Sequence, residues 1–325
     1  MKRRQLLIAA GALATIRLPA LAQTPVAIPR IGLLWIESSD DANLVNAFRE
    51  GLSALGFSDG KNIQIDKQFL VDRYDRLAAS ADRLVKSKVD IVVSYGATAA
   101  LAASKATSTI PIVMLTGSDP VKLGLVASLS KPGGNATGVT FLSAELHGKR
   151  LEILKAVVPG IRRVGEVFNP DSATEAKSFL DHEASARAIN MEAQRVEIRL
   201  QSDIERVIAD LSRQKLDALV VAASTMFVAN RKQMVAAIAK TRLPAIYASI
   251  EDVDAGGLIS YGPDVRDGFR RAAGYVAKIL KGAKPGDLPF EQAPKVQLAV
   301  NLKTAKEIGI AFPQSILLRA DQVIE

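Results

Sequence analysis

The chain has 325 residues, 48% hydrophobic and 23% charged, a composition that is typical of a globular protein and excludes a disordered, collagen-like or coiled-coil chain. Cysteine is absent, which excludes disulfide bonds, iron–sulfur clusters and thiolate zinc sites. The net charge of +8 falls to +4 without the first 22 residues, because these contain four basic residues and no acid. Such a small surplus, with acids interspersed, predicts no nucleic-acid partner.

The N-terminus has the pattern of a secretory signal peptide. Basic residues 2–4 precede a short apolar run at 6–16, and Ala20, Leu21 and Ala22 form an A-x-A cleavage signal. The apolar run is too short to span about 30 Å of hydrocarbon as a stable anchor. We therefore expect residues 1–22 to be removed near Ala22 and the mature chain to be periplasmic, without spanning the membrane.

The first half of the mature chain alternates short apolar strands with amphipathic helices. Strands are predicted at residues 30–36, 63–70, 90–94, 111–116 and 138–142, and helices at 44–55, 74–85 and 97–106. Short Val-, Ile- and Leu-rich strands between helices are typical of a parallel sheet covered on both faces.

The second half repeats this order. Strands are predicted at residues 163–168, 191–197, 217–222, 244–249 and 257–261, with helices between them. Two halves with the same order indicate two similar α/β lobes, since single cores rarely grow beyond about 250–300 residues. A helix at 265–280, an extended stretch at 295–301 and a final short helix complete the chain.

Small and polar residues follow the predicted strands at their carboxyl ends, where open α/β sheets bind ligands. These loops are residues 37–40, 94–98, 116–120, 169–172, 223–225 and 247–252. Each polar residue taken alone is better explained as a helix cap or a turn residue. The matched set in both halves nevertheless predicts a cleft between the lobes.

Motifs of catalysis are missing from the sequence. It contains no G-x-x-x-x-G-K-[ST], no G-x-G-x-x-G after the first strand and no G-x-S-x-G. Its two histidines, His147 and His182, are far apart in sequence, and each is predicted on a solvated helix surface rather than in a metal site. We therefore expect a protein that is not an enzyme and that has no catalytic residue, metal or cofactor.

Three consecutive segments carry a resemblance to a known family. Residues 109–114, 119–126 and 129–139 read TIPIVM, DPVKLGLV and LSKPGGNATGV. They resemble the signature block of the ABC-transporter substrate-binding proteins that include tryptophan- and tyrosine-binding members. Residues 151–155, Pro159, residues 169–170 and residues 262–263 resemble further landmarks, so the similarity extends from about Arg30 to the C-terminus.

The resemblance implies a type I periplasmic-binding-protein fold, an α/β architecture of two Rossmann-like lobes with parallel sheets joined by three crossovers. Lobe 1 would contain residues 28–142 and 263–294, and lobe 2 residues 143–262 and 295–325. The lobes of such a protein close on a small-molecule ligand, and the closed form docks on an ABC permease. We expect a monomer.

The resemblance also implies which residues contact the ligand. Type I members hold an amino-acid carboxylate with hydroxyl groups and backbone N–H groups at helix N-termini, and Ser94, Ala97 and Thr98 occupy such positions. Either Asp119 or Asp171 is expected to pair with an ammonium group. Asp119 is explained equally well as a cap, because Pro120 follows it.

Aromatic side chains near strand ends are expected to stack on a flat ligand. The candidates are Trp35, Tyr95, Tyr247 and Tyr261. The remaining predicted ligand contacts are Ser38, Asn169 and Ser224.

The leading hypothesis is a periplasmic protein that delivers an amino acid or related solute to an ABC permease. Two alternatives stay open, a ligand-sensing partner of a membrane receptor and, less expected, an exported enzyme that uses the same cleft. The enzyme would need a nucleophile or base in the cleft, and the sequence motifs give none.

Overall fold

The computed structural model describes residues 28–36, 41–70, 76–141, 143–292 and 296–325. The predicted signal peptide and Ser38 lie outside these residues. The described strands form two sheets, one of six strands and one of seven. The molecule is therefore built on two α/β units, as the repeated element order predicts.

The first sheet is entirely parallel, with the strand order β11-β5-β4-β3-β1-β2. Its strands are β1 (Arg30–Ile36), β2 (Gln64–Leu70), β3 (Ile91–Tyr95), β4 (Ile112–Thr116), β5 (Ala136–Thr140) and β11 (Glu291–Gln292). The helices around it are α1 (Asp41–Ala54), α2 (Leu77–Lys86), α3 (Ala97–Ala106) and α10 (Val265–Leu280).

The second sheet has the order β13-β12-β10-β9-β8-β6-β7, and only its β10–β12 pair is antiparallel. Its strands are β6 (Arg163–Phe168), β7 (Glu192–Glu197), β8 (Ala218–Val221), β9 (Ala245–Tyr247), β10 (Ile259–Pro263), β12 (Val296–Asn301) and β13 (Gln322–Ile324). Its helices are α4 (Ser143–Val157), α5 (Ala173–Ala188), α6 (Ile204–Asp210), α7 (Thr225–Ala229), α8 (Arg231–Thr241), α9 (Ile250–Asp254), α11 (Leu302–Ile308) and α12 (Gln314–Leu317).

Each sheet is covered on both faces by an apolar core. Successive residues of β1 alternate between the cores, because strand side chains point to opposite faces. Leu33 packs in the core that contains Phe48 of α1 and Phe269 of α10, whereas Leu34 packs in the core formed with α2 and α3. The alternation leaves the central strands buried on both sides, and the polar groups that can meet a ligand lie at the strand ends.

The chain passes between the two sheets three times. The crossings lie between β5 and α4, between β10 and α10, and between β11 and β12. At the second crossing, an Arg266 Nη2 atom of α10 lies 3.5 Å from Glu251 Oε1 of α9. Three crossings agree with the predicted number, and the lobe boundaries at residues 142, 262 and 294 stay a prediction.

The predicted helices at 97–106 and 265–280 and the strands at 30–36 and 163–168 coincide with observed elements. Two glycine-led strands are shifted by two residues, since residues 136–140 and 259–263 are paired where 138–142 and 257–261 were predicted. β13 follows the last helix and was not predicted. Its three residues are too short a run to give a period-2 pattern.

Candidate functional site

The carboxyl edges of the two sheets meet at helices α3 and α5. α3 begins directly after β3, and α5 begins a few residues after β6, so both N-terminal turns lie at the carboxyl ends of parallel strands. The two helices belong to different sheets and contact each other. Free backbone N–H groups and the helix dipole make such N-terminal turns favourable for an anion.

Ser94 stands at the entrance to α3. Its side chain is 0% exposed, and its Oγ has no hydrogen-bond partner among the described residues. Gly96 turns the chain from β3 into α3 with a φ of +89°, which L side chains rarely adopt. Ala97 is buried, and Thr98 in the first turn is partly exposed. A buried polar group ordinarily has a partner, so the Ser94 hydroxyl is suited to a polar ligand atom.

The loop after β6 is organised by its own polar side chains. Asn169 Oδ1 accepts a hydrogen bond from the Asp171 N–H at 2.9 Å, and its Nδ2 donates to the Arg199 carbonyl at 3.4 Å. Asp171 Oδ1 is paired with Arg199 Nη1 at 2.5 Å, and both side chains are about half exposed. These contacts give Asn169 and Asp171 structural roles, while their predicted ligand contacts stay predictions.

Glu175, in the first turn of α5, was missed by the sequence analysis. Its Oε2 accepts a hydrogen bond from the Asn169 N–H at 2.9 Å, and its own N–H donates to Ser172 Oγ at 3.4 Å. Burial raises the pKa of Glu175 to about 7, although the Asn169 N–H and the hydroxyls of Ser224 and Ser172 oppose this rise. The Ser-x-x-Glu spacing of residues 172–175 is a capping-box pattern and could have drawn attention to it.

Ser224 connects this carboxyl to the neighbouring strand. Its side chain is fully buried just after β8, which is the strand beside β6. The hydroxyl lies close enough to Glu175 to influence its pKa, but no described residue gives it a hydrogen bond of ordinary geometry. None of the described residues forms an ion pair with Glu175. The carboxyl ends of β6 and β8 therefore present an acid that lacks a cation in the described part of the chain.

Asp119 caps a turn. Its Oδ1 accepts hydrogen bonds from the N–H groups of Val121 at 2.9 Å and Lys122 at 3.4 Å. The structure thus shows the capping role, although a turn follows here and not the helix that the Asp-Pro pair suggested.

Two of the four predicted aromatic contacts lie inside the cores. Trp35 is 0% exposed and packs edge-on against Phe269, with ring centroids 5.5 Å apart, and Tyr247 is 2% exposed in the core beside α8. Neither side chain has appreciable solvent exposure in this structure, and the predicted ligand contacts of both stay predictions. Inward-pointing strand residues are the ones that fill the core. Tyr95 and Tyr261 remain partly exposed.

Tyr247 also borders a cavity in a different part of the molecule. A cavity of about 240 Å³ lies where β9 and β10 begin, and Tyr247 is the one predicted ligand contact among its described lining residues. α8 and α11 form its walls through Ile238, Arg242 and Thr304. This cavity is at the amino ends of the strands and is separate from the candidate site.

The prediction that both histidines lie on solvated helix surfaces was wrong. His147 of α4 is 1% exposed, His182 of α5 is 19% exposed at its side chain, and their rings stack with centroids 3.6 Å apart. Both lie beside the buried Glu166 of β6. Burial lowers the pKa of both imidazoles and raises that of the Glu166 carboxyl. Sequence periodicity could not reveal this cluster, because α4 and α5 become neighbours only in the folded chain.

Comparison with known proteins gives the family. Residues 33–324 match the model of a family described as ABC transporter substrate binding protein. The chain belongs to this family. It is also 29% identical over 267 residues to a tyrosine-binding protein of Clostridioides difficile. The aligned region covers 81% of this chain and 75% of that relative.

Two solved structures show the same fold. A conserved domain protein of Vibrio cholerae is 26% identical with a TM-score of 0.85, and an ABC domain of Streptococcus pneumoniae in complex with L-Trp is 25% identical with a TM-score of 0.83. Each match covers 91% of this chain and 99% of the other. The chain therefore has the type I periplasmic-binding-protein fold. Among its described residues, no helix combines the length and apolar character needed to cross a membrane.

Proposed function

We propose that this substrate-binding protein is exported to the periplasm, captures an amino acid or a related small organic solute between its two lobes, and delivers it to an ABC permease. Its family membership supports the transport role. A tyrosine-binding relative and a related structure in complex with L-Trp support an aromatic amino acid as the solute.

The observation that carries the proposal is the buried, unpartnered hydroxyl of Ser94 at the start of α3. A solute carboxylate at this position would accept hydrogen bonds from Ser94 Oγ, from Thr98 Oγ1 and from the free backbone N–H groups of the first turn. Hydrogen bonds to an ionised acceptor are stronger than those between neutral groups, and the helix dipole adds to them.

An ammonium group of the same solute would pair with Glu175. α5 contacts α3 from the opposite sheet, so an acid in its first turn lies across the cleft from the carboxylate position. Glu175 has no cationic partner among the described residues, and Ser224 lies beside it. In this role Glu175 takes the place of Asp119, which caps a turn, and of Asp171, which already has a cationic partner in Arg199.

The side chain of the solute would lie between the remaining polar and aromatic surfaces. Tyr95 is held by an edge contact to Phe269 at 5.4 Å between centroids, and it stays partly exposed. A ring fixed in this way loses little entropy when a flat side chain packs on it. Tyr261 is the corresponding partly exposed ring of the second sheet.

The proposal is tested by replacing Ser94 and Thr98 together with alanine. The double variant is expected to bind the solute about 1–3 kcal/mol more weakly in calorimetric titration, because two hydrogen bonds to a charged group are lost. Its apo melting midpoint should stay close to that of the wild type, since the Ser94 hydroxyl has no described partner to lose.

The matched control is Ser202→Ala, which removes an exposed hydroxyl from the second lobe. It should leave the affinity unchanged. An unaltered affinity in the double variant would remove Ser94 and Thr98 from the site and contradict the proposed carboxylate position.

A further inference from the structure

The chain's entire histidine complement comes together in one buried place. The sequence contains two histidines and no cysteine, and His147 and His182 meet beside Glu166 between α4, α5 and β6. His147 Nε2 lies 3.1 Å from Glu166 Oε1, and His182 Nδ1 lies 3.7 Å from Glu166 Oε2. One donor atom of each residue lies within 4.8 Å of the other two.

Two of these atoms lack a hydrogen bond. His147 Nε2 and Glu166 Oε1 are buried and have no partner of acceptable geometry among the described residues, although they face each other. Both side chains are more than nine-tenths buried. An imidazole nitrogen and a carboxylate oxygen that are buried together in this way are each left with an unused lone pair, and a shared cation would satisfy both.

We propose that His147, Glu166 and His182 form a binding site for one divalent transition-metal ion of the zinc type. Two imidazole nitrogens and one carboxylate oxygen are a ligand set that Zn²⁺ accepts, with water in the fourth position. Imidazole donors favour such ions over Mg²⁺ and Ca²⁺, which prefer sites made of oxygen atoms.

Binding requires a small change in one ring. The two imidazoles are stacked with their planes 6° from parallel, so their lone pairs do not converge on one point. His182 is the partly exposed member, with 19% of its side chain exposed against 2% for His147, and we expect this ring to turn toward the Glu166 carboxyl. The same exposed edge gives the ion and its water a route to the site.

A buried cation, Arg150, lies near the proposed site and opposes a positive charge on either imidazole. Arg150 lies one helical turn from His147 and is buried, but its charge is shared with Asp252 as well as with Glu166, and its Nε donates to the Tyr261 carbonyl at 2.7 Å. Glu166 is therefore not the sole counter-charge of Arg150. An ion at the site would join α4 and α5 to strand β6, and stabilise the second lobe.

The test uses the untagged full mature protein, because no other histidine or cysteine in the chain can bind the probe. Zn²⁺ added after chelator treatment is expected to raise the melting midpoint of the wild type, while Mg²⁺ has no effect. Co²⁺ is expected to give the intense visible absorption of a four-coordinate site.

The variant His182→Gln is expected to lose both the Zn²⁺-dependent rise in melting midpoint and the Co²⁺ absorption. Glu183→Gln, which changes the neighbouring residue of α5, is the control and is expected to retain both. Because His182 is partly exposed, its replacement should leave the metal-free protein folded, which circular dichroism checks. If the variant does not fold, the NMR chemical shifts of the two imidazoles in the wild type are measured instead. They are expected to change when Zn²⁺ is added. No midpoint shift and no change in either imidazole would overturn the proposal, as would a Zn²⁺ response that His182→Gln retains.

Discussion

At the scale of single residues, the state of Glu175 decides how the candidate site responds to pH. A folded-state pKa of about 7 means that the carboxyl is about half protonated at neutral pH before a solute binds. An ammonium group next to it favours the charged form and lowers its pKa. Binding therefore has to remove a proton whenever the pH lies below about 7.

We predict that the affinity for an amino acid is about tenfold weaker at pH 6 than at pH 8, and that binding near pH 7 releases about half a proton. Titration calorimetry in buffers of different ionisation enthalpy measures both quantities. Glu175→Gln is expected to bind more weakly and to lose the pH dependence, whereas Asp171→Asn keeps it. Proton release that persists in Glu175→Gln would exclude this carboxyl as the ammonium partner.

The residues of the site were only partly accessible to sequence reasoning. Ser94, Ala97 and Thr98 were predicted because they follow a strand at the start of a helix, which is a local pattern. Whether a side chain at a strand end points into the core depends on which helices cover it. The burial of Trp35 was therefore not predicted, and Glu175 was missed because its surroundings come from β6, α5 and β8 together.

At the scale of secondary-structure elements, the crossing from β10 to α10 depends on the absence of a side chain at Gly262. An added Cβ would lie 1.7 Å from the Ala248 carbonyl oxygen at the end of β9. Close backbone approach of this kind is a role that only glycine can fill. β10 and β9 are thereby kept in contact directly before the chain leaves the second sheet.

Gly262→Ala is expected to destabilise the protein, by roughly 1–3 kcal/mol or more, because backbone must move apart to admit the methyl group. Thermal unfolding of the apo protein measures the effect. Gly274→Ala in α10 is the matched control, since its Cβ would meet nothing within 4 Å and alanine is favoured over glycine in a helix by about 0.5–1 kcal/mol. Equal melting midpoints for both variants would contradict the close approach.

The element positions themselves were largely predictable. The sequence pattern predicted both ends of helices 97–106 and 265–280 at the observed residues, because the local pattern and the tertiary packing agree there. The predicted positions of strands 136–140 and 259–263 were wrong by two residues, because pairing with β4 and β9 determines where these strands begin and end. Side-chain patterns alone do not report that register.

At the scale of the whole molecule, two mostly parallel sheets are joined by three crossings, and we propose the solute site between the two lobes. The repeated strand and helix order predicted this architecture, because each half satisfies the same rule of a parallel sheet covered by helices. The cluster of His147, Glu166 and His182 could not be predicted, since 35 residues separate the histidines and only the packing of α4 against α5 brings them together.

Binding of an amino acid in the cleft is tested by titrating the refolded mature chain with L-tyrosine, L-tryptophan and a panel of other amino acids. Refolding removes any solute carried over from the cell. We predict saturable binding of one molecule per chain, and a stabilisation of about 2.7 kcal/mol when the solute is present at 100 times its dissociation constant. The absence of saturable binding and of any rise in melting temperature across the panel would contradict the claim.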